Sequence, residues 1–135
     1  MQGQESTATV VVIDDDHRIR ESLINLLNSR RLSVNAYSSA MEFLQSNTIQ
    51  NVRCVISDIV MRGMDGLELY RLLSQRYPGL PVILISGRDR SVIQRGDFAG
   101  TTFLQKPLDA DEVIRAVSVA LANKNWAERI SSEHQ

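Results

Sequence analysis

The sequence predicts an α/β sandwich, a parallel sheet covered by helices on both faces, and three observations carry that prediction. Short, β-branched, nearly all-apolar runs recur, such as Ala8-Thr9-Val10-Val11-Val12-Ile13 and Val52 to Ser57. A run without polar alternation suits a strand buried on both faces. Between these runs the apolar residues fall three and four apart, the spacing of an amphipathic helix. Finally, the strand-like runs end in polar residues, where an open α/β sheet places its ligands.

Residues 1–7 are polar, carry no period and are expected to form a disordered leader. The first strand follows and ends in three aspartates. A helix then carries Ile19, Leu23, Leu26 and Leu27, with Asp15 or Asp16 available to cap its first amides. Leu32 to Tyr37 reads as a strand, and Ser39 caps a short helix holding Met41, Phe43 and Leu44. The strand from Val52 ends at Asp58. After the turn Arg62-Gly63-Met64-Asp65-Gly66, a helix carries Leu69, Leu72 and Leu73 and stops before Pro78. Leu80 to Ile85 is a strand ending at Ser86-Gly87. A short polar helix is expected around Ser91 to Arg95, then a strand from Thr101 to Leu104. The final helix opens with Asp109 and Glu112 in capping-box spacing and buries Val113, Ile114, Val117 and Leu121. Five strands alternate with five helices in this reading.

The 135 residues suit one domain, large enough to need neither disulfide nor metal to hold its core. A net charge of −1 gives the segment itself no electrostatic attraction to nucleic acid or to an anionic membrane. The single cysteine, Cys54, cannot form an internal disulfide and reads as a small core residue. No apolar run reaches the length of a membrane span and no secretory leader is legible, so a cytoplasmic location is expected.

The residues at the strand ends are chemically coherent. Asp14-Asp15 follow the first strand, Asp58 ends the third, Ser86 the fourth, and Lys106 follows the fifth. Taken singly each has a plain explanation: a helix cap, a turn, a surface lysine. Together on one sheet edge they form three carboxylates, a hydroxyl and an ammonium. Clustered carboxylates repel one another and favour a divalent cation. Hard oxygen ligands beside phosphoryl oxygens suit Mg²⁺, with Mn²⁺ as a substitute. A carboxylate in such a setting can attack phosphorus and form an aspartyl phosphate.

The blocks Val11-Val-Ile-Asp-Asp-Asp, Asp58-Ile-Val-Met-Arg-Gly-Met-Asp-Gly, Pro81-Val-Ile-Leu-Ile-Ser-Gly and Phe103-Leu-Gln-Lys-Pro resemble the receiver domain of bacterial two-component response regulators, especially those of the LuxR/FixJ type. The resemblance covers about residues 8–122. It implies a flavodoxin-like, doubly wound three-layer fold with strand order 2-1-3-4-5. It further implies that Asp58 accepts a phosphoryl group from a sensor histidine kinase. Asp15 directly, Asp14 through water, Asp58 and the main-chain carbonyl of Val60 would hold Mg²⁺. Lys106 and Ser86 would contact the phosphoryl group, Phe103 would be a switch aromatic, and the Lys106-Pro107 peptide would be cis. Met61 and Met64 are read as packing residues, Asp16 as a cap and His17 as solvent-facing, while His134 in the polar tail carries no signal.

Two features depart from the family pattern. Arg62 stands where proline is usual, and the stretch from Ser86 to Phe103 is shorter than the commonest spacing and holds Gly96, Asp97 and Gly100. The resemblance implies homodimerisation through the face of the fourth helix, fifth strand and fifth helix. DNA would be bound only through an output domain absent from this chain, of the helix-turn-helix class. Residues 123–135 read as a helical extension or a linker to that domain; Trp126 and Ile130 could share a helix side, or the tail could fray with its tryptophan exposed.

Two other classes compete. Asp14-x-Asp16 superficially fits the opening motif of haloacid dehalogenase-type phosphatases, which turn over phosphomonoesters, whereas a receiver catalyses only its own phosphorylation and dephosphorylation. Against the phosphatase, Arg18 stands where Thr or Val belongs, and no later acidic pair follows a strand. The other class is a pseudo-receiver, an interaction module with the fold but no phosphorylation.

Overall fold

A computed structural model describes residues 9–46, 49–87, 101–123 and Trp126. The leader, the helix expected around residues 91–95, Ile130 and His134 lie outside the described residues. In chain order the elements are β1 (Thr9–Ile13), α1 (His17–Ser29), β2 (Ser33–Tyr37), α2 (Ala40–Ser46), a short 3-10 turn (Ile49–Asn51), β3 (Val52–Asp58), α3 (Gly66–Arg76), β4 (Val82–Ser86), β5 (Thr102–Gln105) and α4 (Ala110–Leu121). The five strands pair in parallel in the order β2-β1-β3-β4-β5, as the resemblance implied.

The period-2 alternation of the central strands divides the core into two layers. Val10 and Val12 of β1, Cys54 and Ile56 of β3, and Ile83 and Ile85 of β4 pack with Leu23 and Leu27 of α1 and Val113 and Val117 of α4. Val11, Ile13, Val55, Val82 and Leu84 point the other way, against Phe43 of α2 and Leu69 and Leu73 of α3. Both faces of the central strands are therefore covered, and β1 and β4 are buried along their whole length. The edge strands β2 and β5 are only partly buried. Burial pushes the Cys54 thiol up to about 12, so it stays protonated as a core residue.

Helix starts follow local chemistry, with one exchange. Asp16 caps α1, its side chain accepting from the amide of Arg18. The Ser39 hydroxyl accepts from Glu42 N at 3.1 Å ahead of α2. The capping box expected at Asp109 and Glu112 does not form, for the Asp109 side chain makes no cap hydrogen bond. The reciprocal box closes instead at α3: Asp65 Oδ1 accepts from Glu68 N at 2.8 Å, and Glu68 Oε1 accepts from Asp65 N at 3.0 Å. There it pins the first turn of the helix that follows the Asp58 loop.

Trp126 is not on an exposed tail. It is 4% exposed and its Nε1 donates to the carbonyl of Val52, the first residue of β3, at 2.7 Å. Its ring meets Tyr77 edge-on with centroids 6.1 Å apart. Although α4 packs on the α1 side of the sheet, Trp126 belongs to the α3-side core. Indole area and a buried hydrogen bond outweigh the freedom of a polar tail.

Candidate functional site

The site is built by continuing the ladder hydrogen bonds one residue past each strand. Ile13 pairs with Ser57 and Asp58 with Ile85, while Ser86 pairs with Gln105. Asp14 N donates to Tyr37 O at 3.2 Å, Ile59 N to Ile85 O at 3.0 Å, and Lys106 N to Ser86 O at 2.9 Å. These bonds hold Asp14, Asp58, Ser86 and Lys106 at the carboxyl ends of their strands. The crossing from β1 to β2 on one side and to β3 on the other makes the β1/β3 boundary a topological switch point, where such sheets bind ligands.

At that boundary Asp14, Asp15 and Asp58 each bring a carboxylate oxygen within 4.8 Å of the others. Asp14 and Asp58 are buried and Asp15 is half-buried. Asp14 Oδ1 accepts from Asp16 N at 2.8 Å, but its Oδ2 is buried without a partner. Burial, countered by that amide and reinforced by the charge of Asp58, pushes the Asp14 carboxyl up to about 6. Asp58 Oδ1 accepts from Val60 N at 3.2 Å and Asp58 Oδ2 accepts from Lys106 Nζ at 2.9 Å. Burial alone would lower the Lys106 ammonium; the hydrogen bond to Asp58 and its charge prevail and raise it. The structure thus brings together four residues singled out in the sequence, Asp14, Asp15, Asp58 and Lys106.

Ser86 is buried at the end of β4, with its Oγ donating to the carbonyl of Gly87 at 3.2 Å. Phe103 is half-buried on β5 and packs against the α3-side core. Val60, two residues past Asp58, is exposed, while Met61 and Met64 pack against the core and His17 is exposed, as read from the sequence. The Lys106-Pro107 peptide is cis.

Gly66 was missed as a positioning residue. A Cβ there would overlap the carbonyl oxygen of Asp58 and the Cα of Ile59, and Gly66 N donates to Ile59 O at 2.9 Å. The first turn of α3 thus sits directly on the loop that follows Asp58. Only the signal Asp58…Gly66 in one loop hinted at this, because close backbone approach leaves no mark on periodicity. Gly63, with φ +76, supplies the left-handed step inside the same loop.

A buried orphan carboxylate oxygen and three converging carboxylates form the donor set of a hard divalent cation, so the residues fit Mg²⁺. This sheet, with acidic groups at the switch point and a lysine reaching across them, is a doubly wound α/β module with a charged site at its carboxyl edge. Residues 10–118 match the family model for the response regulator receiver domain, and the chain belongs to that family. It is 35% identical to the transcriptional regulatory protein TdiR of Thauera aromatica over 130 residues, 92% of this chain and 56% of that protein. It is 36% identical to the transcriptional regulatory protein FixJ of Azorhizobium caulinodans over 114 residues, 83% of this chain and 54% of that protein. The chain thus spans about half the length of these two relatives. Among solved structures, a response regulator receiver domain protein from Clostridium thermocellum superposes with a TM-score of 0.78 at 25% identity, covering 87% of this chain and 97% of that one. The response regulator StyR superposes with a TM-score of 0.77 at 30% identity, covering 95% of this chain and 65% of that one. The chain is therefore a receiver domain of a two-component response regulator, a signalling module with transcriptional regulators among its relatives. Family membership removes the dehalogenase alternative, and Asp16, which prompted it, is engaged in capping α1.

Proposed function

We propose that this domain receives a phosphoryl group on Asp58 from a sensor histidine kinase, with Mg²⁺ held by Asp14, Asp15, Asp58 and the main-chain carbonyl of Val60. The single observation that supports this best is the Lys106 ammonium 2.9 Å from Asp58 Oδ2, beside two further carboxylates. A bound divalent cation supplies charge neutralisation for the transferring phosphoryl group. Asp58 contributes the attacking carboxylate oxygen: an O–P bond forms as the donor's P–N bond breaks, and the donor imidazole leaves with the electron pair. Lys106 offsets the negative charge that gathers on the acceptor side.

After transfer, the Ser86 hydroxyl exchanges the Gly87 carbonyl for a phosphoryl oxygen, and Phe103 turns further into the core. The face that includes β5 and α4 then favours its active arrangement, and a homodimer forms across it. Both relatives are named transcriptional regulatory proteins, which supports a transcriptional output. The output domain proposed here, a LuxR-type helix-turn-helix following residues 123–135, rests on the family resemblance alone. Residues 8–122 constitute the receiver and residues 1–7 a leader. The expected compartment is the cytoplasm; no described helix is long and apolar enough to cross a membrane.

The test is incubation with acetyl phosphate and Mg²⁺ followed by intact-mass measurement. One phosphoryl adduct is expected in the wild type and none in Asp58→Asn. A wild type that stays unmodified at all cation and donor concentrations would mean a pseudo-receiver, an interaction module that uses the fold without the chemistry.

A further inference from the structure

The three carboxylates of the cluster differ in their partners. Asp58 is paired with Lys106 at 2.9 Å. Asp14 is buried, with one oxygen on the Asp16 amide and the other without a partner. Asp15 faces Arg62: its Oδ2 accepts from Arg62 N at 3.3 Å and lies 4.0 Å from Arg62 Nε. One carboxylate oxygen is thus approached by both the amide and the guanidinium of a single residue. The other nearby arginines are otherwise engaged. Arg20 donates to the main-chain carbonyl of Asp14 at 2.7 Å, and Arg18 pairs with Asp16 at 3.9 Å. Among the described residues, Arg62 and Lys106 are the cations paired with the cluster's side chains.

The two cations differ in how firmly they are held. The Lys106 side chain is 34% exposed and anchored on a buried partner, whereas that of Arg62 is 94% exposed and no packing fixes it. A guanidinium held only by an exposed ion pair leaves at little cost. We propose that Arg62 is a resident counter-ion of Asp15 which competes with divalent cations for that carboxylate, and so sets the cation concentration at which the site fills. The inference rests on the reading of Asp14, Asp15 and Asp58 as the cation ligands. Arg62 has to leave Asp15 Oδ2 before a divalent cation can take that oxygen. Its positive charge also raises the potential met by an incoming cation, an effect that salt screens.

Titration of the full chain with Mn²⁺, following free Mn²⁺ by electron paramagnetic resonance, tests this without any phosphoryl transfer. Arg62→Gln removes the charge while keeping the main-chain amide. It is expected to tighten Mn²⁺ binding about two- to fivefold at low ionic strength, the range of an exposed pair. Arg62→Lys should bind nearly as the wild type does. The gain should shrink as salt is raised toward about 1 M, where the screening length is about 3 Å. In an Asp15→Asn background the gain from Arg62→Gln should shrink, because the competed carboxylate is gone and only the screened field of the guanidinium remains. Equal or weaker Mn²⁺ binding by Arg62→Gln, with the wild type binding measurably, would overturn the competition while leaving the cation site intact. A wild type that takes up no Mn²⁺ would overturn both.

Discussion

At the residue scale the outcome turns on how carboxylates share a pocket. Asp14 is buried and pushed up to about 6, chiefly by desolvation. The unfolded chain releases this proton near 3.8, so between about pH 4 and pH 6 the folded state holds more protons. By linkage, the contribution of Asp14 to stability falls as pH rises through that window and is flat above it, a change on the order of 2–3 kcal/mol. Urea unfolding without divalent ions should show this slope in the wild type and lose it in Asp14→Asn. Adding Mg²⁺ should stabilise the wild type increasingly as pH passes 6, because the ligating form is the ionised carboxylate. The residue types of this pocket were legible in the sequence because strand ends in a parallel sheet point to one edge. The ion pair of Arg62 with Asp15 was not, since it joins a turn to a strand end 47 positions away.

Helix and loop elements hold the pocket in place, and here the sequence was less informative. The capping signature at Asp109 was visible yet unused, whereas the box that forms is at Asp65 and Glu68. Spacing alone cannot tell which carboxylate will turn toward the helix. Packing of α3 on the Asp58 loop through Gly66 was equally hidden. Gly66→Ala should lower stability by about 1–3 kcal/mol, as overpacking does, and should weaken Mn²⁺ binding by displacing the loop. Gly63→Ala, strained by φ +76 but with nothing near its added carbon, should disturb the loop locally and leave α3 in place. Titration and urea unfolding of both variants separate the two effects.

The C-terminal segment belongs to the same scale. A helical continuation and an exposed tryptophan were both compatible with the spacing of Trp126 and Ile130. What decides is a tertiary contact with Val52 and Tyr77, far away in sequence. Trp126→Ala should destabilise the domain by about 3–5 kcal/mol, the range for losing a buried tryptophan. Trp126→Phe should cost less, mainly the hydrogen bond to Val52 O, about 1 kcal/mol. As the chain holds one tryptophan, its emission reports the contact directly. It should be blue-shifted in the folded wild type and move to the red on unfolding.

For the whole molecule, the parallel sheet and its order follow from repeated apolar runs separated by helical stripes. That pattern survives in one sequence because buried central strands tolerate little else. The order of the strands needed the family resemblance, since the alternation by itself fits several windings. One strand links the two ends of the molecule: β3 begins at Val52, which Trp126 holds, and ends at Asp58, which Lys106 holds. Trp126 is therefore anchored at the amino end of β3, the end opposite Asp58. The central claim is that this pocket makes Asp58 the phosphoacceptor. Reduction of the acetyl-phosphate-treated protein with borohydride converts an acyl phosphate to an alcohol, and peptide mass spectrometry then locates it. The account predicts homoserine at position 58 and at no other aspartate. Homoserine at Asp14 or Asp15, or none in a protein that carries the adduct, would contradict it.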